Sequence, residues 1–272
     1  MLSHLSHPFR LIWNERHIAL QFSERMVLQR TKGSLLGFFW QVLTPIAMML
    51  LYTFIFGVLL QGSFHPDRNE SPLLYGLGIY LGLALLGIFT DVLNQSPTAI
   101  VSHTNLVKKV IFPLPLLPLA YLAASLIPAL ISLILAIVVI CAVTQSIPSG
   151  LFWIPVIWLP LVGIAAGLGW LLSAITVYFR DVNQVTPIAS QLAFWISGIF
   201  FPASALYAFP VIWNLLKWNP ILQGIDQMRN VMLWQAPVQL HWVVYLYLLA
   251  VVCFYGGFYV FQGLRKGFAD VM

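Results

Sequence analysis

Charge is scarce in this sequence. Only 8 % of its 272 residues are Asp, Glu, Lys or Arg, while 60 % are apolar; soluble domains carry about 25 % charged residues. So few polar side chains cannot cover a water-facing surface, so the solvent is lipid, in keeping with a mean hydropathy of +0.90. That excludes a soluble enzyme, a nucleic-acid binder and a disordered chain. The excess of 13 Lys and Arg over 8 Asp and Glu then reads as cytoplasmic anchoring of a membrane protein. Cysteine is equally rare. Cys141 and Cys253 stand alone in separate apolar runs, so neither a disulfide nor a metal site is expected. The first thirty residues hold charges and no long apolar run, so no cleavable signal peptide is expected.

Several chemistries are missing too. No G-x-x-x-x-G-K-[ST] phosphate loop occurs, so ATP is not bound by that route, and neither H-E-x-x-H nor G-x-S-x-G is present. Ion-coupled carriers use intramembrane carboxylates or histidines as relays, yet no Asp or Glu falls in the middle third of any apolar run. Internal repeats typical of such carriers are also lacking. A membrane enzyme would need clustered acids or histidines at one face. His65, Asp67 and Glu70 are the only such group, in a Pro-flanked turn that reads as solvated. No catalytic residue is expected, and the energy for any transport comes from another protein.

What is present is a series of apolar runs. A helix needs about 20 apolar residues to cross the hydrocarbon core, and six runs qualify: 35–60, 73–93, 116–144, 151–178, 182–203 and 238–264. Residues 145–150, QSIPSG, separate the third from the fourth. Between the last two, Pro202, Pro210, Pro220 and Pro237 interrupt a segment that also carries Lys217, Asp226 and Arg229. Proline removes an amide donor and clashes with the preceding turn, so this segment is expected to form short re-entrant helices. The sequence thus predicts an all-α integral membrane protein with six transmembrane helices. With six crossings both termini share a side. That side holds ten of the thirteen Lys and Arg, against Arg68, Lys217 and Arg229 opposite, which makes both termini cytoplasmic.

Residues 1–32 read as a cytoplasmic segment, 33–264 as one membrane domain and 265–272 as a cytoplasmic tail. Within 10–29, Ile18, Ala19, Phe22 and Met26 form an apolar stripe away from Arg16, Glu24 and Arg30, as in an amphipathic helix lying in the membrane interface. The pairs Gly33/Gly37, Gly78/Gly82 and Gly163/Gly167 permit close helix packing.

Four motifs in order carry a family resemblance. RTKGSLLGFFWQVLTP (30–45) is similar to the start of type-2 ABC exporter permeases for polysaccharides. NLVKKVIFP (105–113) with LPLA (117–120) resembles their loop after the second span. YFRDV (178–182) resembles the short loop between spans four and five, and FFP (200–202) with WNP (218–220) the segment before the last span. The resemblance implies a homodimeric permease with two copies of a separate cytoplasmic ATPase, which holds the ATP and Mg; no cofactor is expected in this chain. Its implied cargo is a lipid-linked polysaccharide, O-antigen foremost, with capsular polysaccharide or teichoic acid as alternatives. The implied location is the bacterial inner membrane.

The resemblance makes residues 94–110, with Asn105, Lys108 and Lys109, the loop that couples to the ATPase; the plainer reading is that the lysines anchor a helix end. Arg25, Arg30 and Lys32 suit the pyrophosphate of a lipid-linked glycan, or else phospholipid headgroups. Arg180 and Asp181 are read as closing a tight turn or clamping a neighbouring loop. Aromatic rings stack on sugar C–H faces, so Trp40, Tyr52, Phe54 and Phe56 of the first span, with Phe194, Trp195, Phe200 and Phe201 of the fifth, are expected to line a translocation path. Tyr52 and Phe56 share one helical face by spacing, Phe194 and Phe201 another. The resemblance places these two spans at the dimer seam.

Overall fold

The computed structural model describes residues 7–64, 70–107 and 112–272. Every regular element among them is helical. In chain order they are α1 (Pro8–Asn14), α2 (Arg16–Thr31), α3 (Trp40–Tyr52), α4 (Pro72–Gln95), the one-turn α5 (Thr98–Val101) and α6 (Thr104–Val107), and α7 (Leu116–Thr144). Then follow α8 (Trp153–Tyr178), α9 (Val182–Ile196), α10 (Pro210–Leu216), α11 (Pro220–Leu233), α12 (Leu240–Arg265) and α13 (Phe268–Val271). A π-helical stretch, Thr53–Leu59, prolongs α3. Local chemistry sets the ends. Ser71 caps α4 by accepting from the Leu74 amide, Asn219 caps α11 by accepting from the Ile221 amide, and α7 stops where Gln145 turns left-handed at φ +51°.

Among the described residues five helices are long and apolar enough to cross a membrane: Trp40–Leu59, Pro72–Gln95, Leu116–Thr144, Ser149–Tyr178 and Leu240–Arg265. The run at 182–203 departs from expectation. Its helix, α9, has 15 residues, about 22 Å at 1.5 Å per residue, short of the ~30 Å core. Gly198, at φ +70°, turns the chain just past its end, so Phe201 lies beyond the helix and shares no helical face with Phe194.

The core forms around α4, whose most apolar window is 72 % buried against 11 % for α3. Leu77, Leu81, Leu85 and Phe89 of α4 pack with Ile157, Leu161 and Ile164 of α8 and with Ile225 and Met228 of α11. Alongside, α8 and α12 run parallel. Gly163 faces Ala250, and Gly167 presses against the backbone of Cys253 and Gly257. Further along, the Tyr178 hydroxyl donates to the Leu264 carbonyl at 2.8 Å.

At one end of the bundle Leu11, Ile100, Leu114, Val177, Phe261 and Phe268 share a single apolar cluster. The N-terminal helix, the α4–α7 connection, the end of α8 and the C-terminal helix therefore meet there. Since α8 and α12 both run toward this end, the chain must traverse the depth of the bundle between Phe179 and Leu240. The first part of that traverse is α9, which runs opposite to α4: Asn94 meets Ser190 at 3.3 Å, and Gly82 abuts Ile199. The break after Ile196 thus lies level with the middle of α4. Re-entry follows, as the prolines imply. The start of α11 is deep, with Gly224 against Leu161 in the middle of α8, and its last turn, at Val231, lies against Gly150 just before α8 begins.

Two expectations about the N-terminal region change. The stripe of α2 does not face lipid: Met26 packs on Ala120 and Ala124 of α7, and the Phe22 ring lies 5.0 Å from that of Phe112. Leu20 and Leu28 are exposed on other faces, so α2 carries apolar residues all round rather than a single amphipathic stripe. Gly33 and Gly37 are not packing residues. Among the described residues nothing lies within 4 Å of where their Cβ atoms would be, and their φ angles of +83° and +49° shape the turn from α2 into α3. Gly78 and Gly82 do pack, against Phe64 and Leu233 and against Ile225 and Ile199.

Candidate functional site

The site is built where α9 breaks. Residues 197–202 run without helix at mid-depth, where unpaired backbone groups are costly. Arg229 of α11 reaches under them. It is 1 % exposed and donates to the carbonyls of Ile199 at 3.1 Å, Gly198 at 2.8 Å and Phe201 at 3.2 Å. Tyr75 of α4 donates to the fourth carbonyl, that of Phe200, at 2.9 Å. Asp226, one turn before Arg229, lies 3.8 Å from it and accepts from the Ala203 amide at 3.1 Å. The guanidinium also sits 4.1 Å from the centre of the Phe64 ring. Phe64 is itself fixed, its amide donating to Glu70. The break is therefore held rigidly by one buried cation and its counterion.

Held there, Phe200 becomes the hub of an aromatic cluster. Its ring centre lies 4.6 Å from Phe56, 6.3 Å from Tyr52, 5.3 Å from Phe194 and 5.8 Å from Trp195. Five of the eight expected path residues, Tyr52, Phe56, Phe194, Trp195 and Phe200, are thus brought together, linking the first apolar helix to α9 within one chain. The other three are not. Phe54 is exposed. Phe201 packs away from the cluster, with Ala203, Leu206 and Leu222. Trp40 stands twelve residues before Tyr52, about 18 Å along the helix, and the two line one cavity beside the cluster.

The cations of α2 diverge. Arg30 pairs with Asp91, near the end of α4, at 2.7 Å. Arg25 and Lys32 lie with Glu24 and Gln29 along an exposed face of α2. In the α4–α7 connection Ala99 and Ile100 are buried, whereas Asn105 of α6 is exposed; Lys108 and Lys109 lie outside the described residues. His65 and Asp67, the other members of the acidic turn, lie outside them too. Arg180 and Asp181 occupy an exposed tight turn in which the Asn183 amide donates to the Arg180 carbonyl, and neither forms an ion pair among the described residues.

Sequence reasoning missed Arg229 by counting it as a loop cation on the side away from the termini. The signal was there: Asp226 and Arg229 are three apart in an apolar stretch, which puts them on one helical face, and charges at membrane depth are rarely idle. Tyr75 and the central position of Phe200 had no such marker.

The model of the ABC-2 type transporter matches residues 20–233, from α2 to the end of α11, and so takes in the break, its clamp and the aromatic cluster. The chain belongs to that family. Relatives of this ABC-2 transporter match 72 to 96 % of it. It is 24 % identical to the O-antigen export system permease protein RfbA of Myxococcus xanthus, over 96 % of this chain and 97 % of the relative. With RfbA of Klebsiella pneumoniae it shares 23 % identity over 89 % and 90 %. It is 25 % identical to the polysialic acid transport protein KpsM of Escherichia coli, over 72 % and 73 %. The ABC-2 chain is thus a multi-pass membrane protein whose relatives are permease subunits.

Proposed function

We propose that this chain is the permease of an ATP-driven exporter that moves a lipid-linked polysaccharide, O-antigen foremost, from the cytoplasmic to the periplasmic side of the bacterial inner membrane. It works as a homodimer with two copies of a separate ATPase, which binds the ATP and Mg. The observation that carries the reading is the aromatic cluster on a clamped helix break at mid-depth, in a chain similar end to end to O-antigen permeases. Ring faces that stack on sugars need no particular charge or sequence of residues in the polymer. The likeness to KpsM keeps a capsular polysaccharide as the second reading.

In this scheme the chain crosses six times, α9 with the segment after it making the fifth crossing, and both termini are cytoplasmic. Residues 94–110 couple to the ATPase, with Asn105, Lys108 and Lys109 on the contact surface, while Arg25 and Lys32 guide the phosphate-bearing head of the substrate. Deleting the gene in its host should leave lipid-linked glycan inside and remove it from the cell surface, read by immunoblot of intact and lysed cells. Wild-type protein should restore the surface glycan, and a form lacking residues 94–107 should insert yet not restore it. Unchanged surface glycan in the deletion strain would refute the reading.

A further inference from the structure

Bordering the aromatic cluster at Tyr52, two adjoining cavities of about 490 and 260 Å³ lie between α3, α4 and α7. They share Arg30, Leu83, Ala84, Pro128 and Ser132, so they form one groove. At one end stands the ion pair of Arg30 and Asp91, and at the other Tyr80 with Tyr52. Tyr80 and Asp91 are eleven residues apart on α4, a rise of about 16 Å.

The polar groups inside are incomplete. Tyr80 is 3 % exposed, and its hydroxyl, beside Ser132, has no well-aligned hydrogen-bond partner among the described residues. Among them neither amide atom of Gln41, at the start of α3, has a partner. Burying such a group unpaired costs about 1–3 kcal/mol, so whatever fills the groove carries hydrogen-bonding atoms. Pro45, Met48, Leu83 and Pro128 make the rest of the wall apolar, which disfavours water alone. Arg30 has five donors, of which one bonds Asp91, so a cation with donors to spare stands at the mouth.

An anionic group at the mouth, acceptors below it and hydrocarbon beside them describe one class of molecule. We propose that this groove is a binding site for a single glycerophospholipid, with its phosphate at Arg30, its ester carbonyls accepting from Gln41 and Tyr80, and an acyl chain along Pro45, Met48 and Leu83. A polyprenyl phosphate presents the same phosphate but no oxygen farther in, and would leave Gln41 and Tyr80 unpaired. The site meets the polysaccharide path at Tyr52, and its occupant stays through the transport cycle, filling the seam between the peripheral α3 and the central α4. The proposal does not depend on what the exporter carries.

Native mass spectrometry of the intact, detergent-washed protein, with extraction and identification of the lipid retained, tests it. The expected result is one diacyl glycerophospholipid per chain. Replacing Tyr80→Phe and Gln41→Leu together should lower its occupancy at least about fivefold, the equivalent of one lost hydrogen bond. A retained polyprenyl phosphate in its place, no retained lipid, or undiminished occupancy in the double variant overturns the proposal. Should that variant not fold, wild-type protein in phosphatidylglycerol vesicles doped with a diazirine-tailed phosphatidylglycerol decides. Crosslinks at residues 41–48 and 125–132 support the site, and crosslinks confined to the exposed face of Leu50, Leu51 and Phe54 refute it.

Discussion

Arg229 satisfies three carbonyls with one side chain because a guanidinium spreads its donors over a plane, which a lysine ammonium on a flexible stem cannot reproduce. Removing it leaves Asp226 uncompensated and the carbonyls of Gly198, Ile199 and Phe201 unpaired at membrane depth. Arg229→Met should therefore cost about 3–5 kcal/mol, read as a fall in the thermal unfolding temperature in detergent, and export should stop. Arg229→Lys should fall between the two. A methionine variant as stable as the wild type would show that the break needs no clamp. The rings behave differently, since each aromatic pair contributes only about 0.5–1.5 kcal/mol. Phe200→Leu should slow export modestly, whereas Ala at Tyr52, Phe56, Phe194 and Phe200 together should abolish it while basal ATP hydrolysis by the assembled exporter persists. Normal export by that quadruple variant would reduce the cluster to a packing feature.

Among the elements, the parallel pair α8 and α12 depends on backbone approach rather than on side-chain fit. A Cβ at Gly167 would run into the Cys253 carbonyl, whereas one at Gly163 would meet only the Ala250 methyl at 3.4 Å, an ordinary contact. Gly167→Val should accordingly abolish a monodisperse, folded species in size-exclusion chromatography, and Gly163→Ala should elute as wild type. Equal behaviour of the two variants would contradict this helix contact. The same logic separates the glycine pairs, which look identical in one dimension. Gly33 and Gly37 serve the turn between α2 and α3 by their positive φ, and only the packed chain distinguishes that use from helix contact.

For the whole molecule, the shared cluster of Leu11, Ile100 and Phe268 brings the helices nearest both termini to one end of the bundle. Residues 145–149 lie at the other, between α7 and α8. Single cysteines replacing His7 and Asp270 should react with a membrane-impermeant maleimide only after the cells are opened, and one replacing Ser146 should react in cells whose outer membrane alone is permeabilised. Labelling of positions 7 and 146 from the same side would invalidate the six-crossing arrangement and the cytoplasmic termini with it.

The sequence by itself determined the solvent, the helical class, the positions of five long helices and the proline-broken re-entry, because each follows from local composition and spacing within one segment. Hydrocarbon admits few backbone solutions, and a run of 20 apolar residues reads as a helix without knowledge of its neighbours. Tertiary structure decided where those helices touch. It ended α9 at Ile196, turned the α2 stripe onto α7, set Arg30 against Asp91, and buried Arg229 beneath the break after α9. These outcomes depend on partners tens of residues away, and a single chain position carries no record of the distant carbonyl or carboxylate that satisfies it.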